Sequence, residues 1–452
     1  MQSLRIGIAG MRGKVASELT PQRAMNFASA LGTYLDGGKV VVGRDTRISS
    51  GMLHQAAISA LMGCGCTVVD AGLISAPEMH FCTPHLEADA GLLIGAGHHP
   101  NGWNALMPFT STGAAFTRVQ LQELLDIYHS RRYSLVPWQK IGVCSNAPSH
   151  IREIYLDKVC SKVDVDAIAG RNLKVVADFC NGTGSFVAER LAARLGVNLI
   201  SINNEASGIL PHDPEPRPRS AVQVQSLLKP LGADIGFVFN SDMSRASIVT
   251  SSGETLSEEY TVALVADQCL NARPNMKVIT NGCTTRTLDE VVARHRGELF
   301  KTKVGEAFIV DKMIEVGADL AGDGSGSAAF GDHVLGYDNC MVMAVLLNAM
   351  AKHRITSAEM ASAIPRYHIV KRAISTSSSH AYTLLRQMEK FFPDAEMSES
   401  DGLRFDWPDG WVHFRASNTE PIIRMIVEFR SREKAEETAF HIRGMIERLV
   451  LK

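Results

Sequence analysis

Short apolar runs that break off into glycine, serine or asparagine recur along the chain. Val40-Val41-Val42, Cys66-Thr67-Val68-Val69-Asp70 and Ala90-Gly91-Leu92-Leu93-Ile94 each read as a buried strand. Apolar positions at helical spacing, such as Met25, Ala28 and Leu31, fall between them. Strands alternating with helices predict a βαβ unit with a largely parallel sheet. Ile6-Gly7-Ile8-Ala9 is expected to end in a turn, Gly10-Met11-Arg12-Gly13, that presents Arg12. Ser49 or Ser50 is expected to cap a helix beginning near Gly51. The polar stretch Val136 to Ser149 reads as a linker.

The alternation then starts again. Leu173 to Asp178, Val197 to Ile200 and Ala233 to Phe239 read as strands, and the last delivers Asn240-Ser241-Asp242-Met243-Ser244-Arg245 at its C-terminal end. Four prolines between Leu210 and Pro218 make that stretch an irregular loop. A third unit holds the strand Lys277 to Thr280 and the loop Ala321-Gly322-Asp323-Gly324-Ser325-Gly326-Ser327. After Pro365 the pattern changes to consecutive strands and a closing helix, Glu433 to Leu449, which predicts a small α+β domain. The chain of 452 residues exceeds one core. The expected division is 1–149, 150–250 and 251–365, all α/β, with the α+β unit over 366–452.

Composition narrows the class of partner. Hydrophobic residues make up 45 % and charged residues 21 %, with a formal net charge of −2 and no basic block, so neither a nucleic-acid groove nor a membrane surface is indicated. No signal peptide or membrane-length apolar segment is visible, and nine scattered cysteines without a Cys-x-x-Cys pair suit reduced thiols. A cytoplasmic setting is the expectation.

Two loops carry the chemistry. Gly95-Ala96-Gly97-His98-His99-Pro100 follows the strand ending at Ile94, where α/β sheets bind ligands; Gly97 lets the backbone turn beside His98 and His99. Adjacent histidines without a third ligand at useful spacing do not suggest a metal site. Trp103 offers a ring for a sugar face or for packing. In the other loop, Ser417, Asn418 and Thr419 place short polar side chains within one turn, flanked by Arg415 and Arg424, whose guanidinium groups suit bidentate phosphate contact.

Arg415-x-Ser417-Asn418-Thr419-Glu420-Pro421-x-x-Arg424 resembles the phosphate-binding loop of the α-D-phosphohexomutases. Gly10-Met11-Arg12-Gly13, Gly43-Arg44-Asp45-Thr46-Arg47, Pro211-His212-x-Pro214-Glu215-Pro216 and Lys303-Val304-Gly305-Glu306 resemble its framework motifs, in order along nearly the whole chain. The resemblance implies four domains around one cleft, each giving a loop. It also implies a phosphoserine relay through a bound bisphosphate, assisted by Mg²⁺ on three aspartates. Phosphate would sit on Arg415, Ser417, Asn418, Thr419 and Arg424, and sugar hydroxyls on Asp323 and Ser325. Arg12, Asp242 and Arg245 would face the cleft.

This sequence departs from the pattern where the chemistry should be. The serine position is Gly97, which has no oxygen to phosphorylate, and Met107 stands where a lysine is expected. Of three metal-binding aspartates only Asp242 remains, so no Mg²⁺ and no other cofactor is expected. The expectation is therefore a protein that binds a phosphorylated hexose but has lost the mutase relay, as a sensor, a regulatory subunit or an enzyme with changed chemistry. In the last case His98 and His99, with Asp323 and Asp242, would work as general acid and base. One alternative is an active phosphohexomutase of phosphomannomutase or phosphoglucosamine mutase type, with a histidine as the phosphorylated nucleophile. Another is a scaffold for a true mutase. A homodimer or a partner mutase is compatible with each.

Overall fold

The computed structural model describes residues 4–7, 10–375, 387–416 and 422–450. Among them, four sheets follow one another along the chain. The first comprises β1 (Arg5–Gly7), β2 (Gly10–Lys14), β3 (Lys39–Arg44), β4 (Thr67–Leu73), β5 (Ala90–Ile94), β6 (Trp103–Thr110) and β7 (Cys144–Asn146), in the order β1-β2-β6-β5-β3-β4-β7. β3, β4, β5 and β7 run parallel, whereas β6, β2 and β1 extend the sheet antiparallel. The buried runs Val40 to Val42 and Leu92 to Ile94 are apolar on both faces because helices cover both sides.

Three expectations about this unit need correction. Arg12 lies inside β2, paired opposite Ala105 of β6, and not in a turn. The hairpin partner β1 extends the sheet edge and holds the stretch after Gly10 straight. The second helix begins at Ile48 with no side-chain cap, because the Ser50 hydroxyl donates to Asp45 instead. The stretch read as a linker contains β7, which adds to the sheet edge beside β4.

The second sheet holds β8 (Lys174–Asp178), β9 (Asn198–Ile202), β10 (Ile235–Phe239) and β11 (Ala246–Thr250), in the order β11-β10-β8-β9. The third holds β12 (Lys277–Asn281), β13 (Glu298–Thr302), β14 (Leu320–Asp323) and β15 (Ser327–Phe330), in the order β13-β12-β14-β15. Each pairs three strands in parallel and closes with an antiparallel hairpin, β10–β11 and β14–β15. The fourth is antiparallel throughout: β16 (His368–Ser375), β17 (Glu396–Ser398), β18 (Leu403–Trp407), β19 (Gly410–Ala416) and β20 (Ile422–Phe429), in the order β16-β20-β19-β18-β17. The helix Arg432–Val450 packs on it through Ala435, Ala439, Ile442 and Ile446.

The largest apolar core runs through the first three units, from Met79 and Phe81 through Phe179 and Phe239 to Leu346 and Leu347. The fourth unit has a separate core around Phe405, Phe414 and Met425. Burial of this kind contributes roughly 25 cal/mol per Å² of apolar surface, so the shared core fixes the loops of the first three units against one another. Among the described residues no helix is long and apolar enough to cross a membrane.

Candidate active site

The loop leaving β5 is held by a neighbour from another strand end. Arg47, just past β3, donates to three loop carbonyls: Gly97 at 3.0 Å, His99 at 2.6 Å and Pro100 at 3.1 Å. Its Nε contacts Asp45 Oδ2 at 3.0 Å. Asp45 also accepts from Ser50 and from the Ala96 amide. Both partners are buried, so the guanidinium charge is compensated in place. Burial pushes the Asp45 carboxyl up, opposed by Arg47 and Ser50. Motif reading placed Asp45 and Arg47 in a framework; what it missed is that they shape the loop.

Gly97 adopts a φ of +48°, and a Cβ there would lie 2.6 Å from Asp242 Oδ2. The structure thus brings the tip of the first loop against the only carboxylate of the second. Ser241 Oγ fastens the contact by donating to the Gly97 carbonyl at 2.8 Å. Asp242 Oδ1 accepts from Asn240 Nδ2 at 2.8 Å, from Ser244 Oγ at 2.6 Å and from the Ser244 amide at 3.1 Å. Oδ2 is the oxygen turned toward Gly97.

His98 is half-buried beside this contact. Burial, followed by Arg245, His99, Arg12 and Arg47, holds its imidazole well below the usual histidine range, so it is neutral at physiological pH. Arg12 Nη1 lies 3.1 Å from His99 Nε2. A guanidinium can only donate, so that nitrogen is bare and the His99 proton sits on Nδ1. The His99 ring stacks on Trp103 with centroids 5.1 Å apart and 19° between planes, which places Trp103 in packing.

The sugar loop braces the second loop: Ser327 Oγ donates to the Ser244 carbonyl at 2.9 Å, and the Ala246 amide to Gly326 at 2.8 Å. Asp323 Oδ1 accepts from Ser325, while Oδ2 accepts from Asn281 at 3.2 Å and from the Tyr337 hydroxyl at 3.1 Å. Arg245 pairs with Glu215 at 3.3 Å. On the fourth sheet Arg415 lies directly opposite Arg424, and Arg415 pairs with Asp401 at 3.4 Å. Ser417, Asn418 and Thr419 lie outside the described residues.

Sequence reasoning also missed Cys283 and His413. His413 Nε2 faces the Asp401 carbonyl at 2.7 Å and must donate to it, which leaves Nδ1 to accept from the Cys283 thiol at 3.2 Å. Two residues along the same strand stands Arg415, so this pair ties the loop after β12 to the strand carrying that guanidinium. No motif marked either residue; only the fold brings them together.

Mg²⁺ needs fewer protein carboxylates than the sequence count assumed. It keeps several waters and is commonly held through one or two carboxylates plus the substrate's phosphates. Asp242, with one oxygen turned toward the tip of the first loop, fits that role; the phosphoryl oxygens of a bound sugar would complete the anionic set.

Comparison with known proteins covers nearly the whole chain. Models of the phosphoglucomutase/phosphomannomutase family match its alpha/beta/alpha domain I over residues 4–134, domain II over 153–253, domain III over 257–367 and the C-terminal domain over 376–444. A phosphoglucomutase/phosphomannomutase of Thermococcus kodakarensis is 32 % identical over 95 % of this chain and 96 % of its own. A probable phosphoglucosamine mutase of Pyrococcus abyssi is 32 % identical over 95 % of each chain. The crystal structure of a phosphoglucomutase/phosphomannomutase family protein from Burkholderia thailandensis superposes with a TM-score of 0.85 at 27 % identity, covering 97 % of both chains.

These relatives correct two expectations. A binding protein that has given up the mutase relay is not what they support, since full-length relatives at this identity are named mutases. The expectation of no Mg²⁺ falls with it, because its ground was a count of protein carboxylates that omitted the substrate's own oxygens. The four matched domains, in order and over nearly the whole chain, establish that the chain belongs to the α-D-phosphohexomutase family.

Proposed function

We propose that the protein is a phosphohexomutase, interconverting the 1- and 6-phosphates of a hexose or hexosamine through a bound bisphosphate. The observation that carries this reading is the full-length kinship with chains named mutases. Gly97 cannot carry a phosphoryl group, and His98 is the carrier assigned here. Its neutral imidazole has a free lone pair beside Asp242 and among Arg12, Arg47 and Arg245. A ring nitrogen attacks phosphorus and the N–P bond forms. The P–O bond to the sugar breaks, its electron pair leaves with the sugar oxygen, and that oxygen takes up a proton. The phosphoryl group then passes from the ring nitrogen to the free hydroxyl of a bound monophosphate. The N–P bond breaks as the O–P bond forms, and the hydroxyl gives up its proton. The bisphosphate so formed turns over to present its other phosphorus to the same nitrogen. The cations supply a fixed positive field for the transferring group. Mg²⁺, held by Asp242 and the substrate, adds neutralising charge when bound.

Arg415 and Arg424, with Ser417, Asn418 and Thr419, are assigned to the non-reacting phosphate. Asp323 and Ser325 are assigned to sugar hydroxyls, and His99, stacked and oriented by Arg12, to holding His98 in place. In this reading each of the units divided at 149, 250 and 365 brings one loop to the substrate.

Phosphorus NMR tests the reaction: the protein is mixed with Mg²⁺, a trace of bisphosphate, and glucosamine, mannose or glucose 6-phosphate. Growth of a 1-phosphate signal is expected. His98→Gln should lower the rate about 10²–10⁴-fold, as loss of a reacting group does. No isomer from any of the sugars would end the mutase reading, and an unchanged rate in His98→Gln would remove the carrier assignment.

A further inference from the structure

A pocket of about 1050 Å³ opens on the first unit, between β2, the N-terminal end of the helix Pro21–Tyr34 and the C-terminal end of the helix Arg118–Ser130. Arg12, His98, Asp242, Asp323 and Arg415 do not line it, so it is separate from the cleft. Lys14, Arg23 and Arg131 converge there, with Tyr128 as the aromatic wall. Among the described residues, none of the three cations makes an ion pair with a carboxylate. The one acid of the wall, Glu18, is buried and accepts from the Lys14 amide at 2.9 Å, while Arg23 donates to the Glu18 carbonyl. Burial pushes the Tyr128 phenol up while Arg23 and Arg131 both pull it down, so the two guanidinium groups act on one ring from either helix.

We propose that this pocket is a second ligand site, for a nucleoside di- or triphosphate. The volume is at the upper end of small-molecule sites, larger than a single phosphosugar fills. Three cations facing one internally bonded carboxylate leave a net positive wall suited to a chain of phosphates, and two of them are arginines, which bind phosphate oxygens in pairs. Tyr128, beside the apolar side chains of Leu4 and Ile6, offers a flat apolar surface for a base. The site adjoins the catalytic loop: Lys14 pairs opposite Trp103, and the Val15 amide donates to the Gly102 carbonyl at 2.8 Å.

Calorimetric titration of the full chain tests the site, with ADP, inorganic triphosphate and adenosine as probes. ADP should bind one-to-one in the wild type and equally in Arg415→Ala, whose damage is confined to the cleft. The double change Arg23→Gln with Arg131→Gln should weaken ADP at least tenfold and leave the melting temperature unmoved. Triphosphate should bind more weakly than ADP, adenosine more weakly still, and ADP affinity should fall with added salt. The proposal is overturned by no ADP binding, by binding lost in Arg415→Ala, or by binding unchanged in the double variant. It is equally overturned if the double variant changes the oligomeric state, which would make the pocket a contact between copies. None of these outcomes depends on mutase activity, so this site and the proposed reaction stand or fall separately.

Discussion

Around Gly97 the protein gathers three guanidinium groups, Arg12, Arg47 and Arg245, upon two imidazoles, and binds the loop through its backbone carbonyls. Around Arg415, which stands opposite Arg424, it pairs the Arg415 guanidinium with Asp401 and the Arg404 guanidinium with Asp406, and fills the neighbouring space with a thiol–imidazole contact. The first region aims three guanidinium groups at a histidine that stays neutral, with Arg47 paired to Asp45 and Arg245 to Glu215, which suits a group that must attack a phosphorylated sugar. The second sets Arg415 and Arg404 each against a carboxylate and holds by geometry. In the first region the cations stand inside the motifs themselves, whereas in the second Cys283, Asp401 and His413 stand outside every motif, so the electrostatics there is decided by residues that no motif marks.

Removing the clamp should have the largest effect. Arg47→Ala leaves Asp45 buried without its cation and frees three loop carbonyls, which should cost about 3–5 kcal/mol in the first denaturant transition. Hydrogen exchange in 95–103 should rise with it. Adding Asp45→Asn should recover part of the loss, since no unpaired charge then remains inside. Equal damage in the single and double variants would show that the carbonyl contacts, not the ion pair, hold the loop.

Acid acts on both regions, since His98 and His413 are each held below the usual histidine range, and the second can be read by itself in a variant. Burial, with Arg404 and Arg415, holds His413 down at about 4 against the opposing pull of Asp401, whereas the unfolded chain titrates near ~6.5. Between those values the unfolded state binds a proton that the folded state refuses. Stability therefore falls as pH drops through the window, by up to about 3 kcal/mol at pH 4. His413→Gln should flatten that slope in denaturation measured at pH 7 and pH 4.5. An identical slope would place the acid sensitivity elsewhere.

Restoring a side chain at the loop tip probes the other region. Gly97→Ser puts a Cβ against Asp242 Oδ2 in a left-handed backbone, which should cost about 1–3 kcal/mol. Asp242→Ala in the same chain should relieve the steric part. A serine accommodated at no cost would mean that the loop and Asp242 separate freely.

The alternation of strands and helices, the α+β end and the loops after β5, β10 and β14 were legible because buried apolar runs ending in small residues have a local signature. Arg12 was misplaced because a strand at a sheet edge is defined by its partners, and Gly10 and Gly13 suggested a turn on their own. Ser50 looked like a cap by spacing, but a buried carboxylate at Asp45 competed for its hydroxyl. The pairing of Cys283 with His413 spans 130 residues and left no trace in either local pattern. The Mg²⁺ reading failed differently: the residues were read correctly, but the ligands a substrate supplies are not written in the chain.

The smallest effect is the one that best sharpens the contrast. Arg415 is assigned to a phosphate that does not react, so its contact is the same in the ground state and the transition state. Loss of such uniform binding raises KM and leaves kcat alone. A charge-assisted contact at a partly exposed arginine, already shared with Asp401, is worth about 1.5 kcal/mol, so Arg415→Ala should raise KM roughly tenfold. His98→Gln should do the reverse, lowering kcat with KM little changed. Steady-state kinetics on the two variants, each checked for an unchanged melting temperature, reads both numbers. If Arg415→Ala lowers kcat as strongly as His98→Gln does, the grip is engaged in the transition state, and the division between a reacting and a holding region is gone.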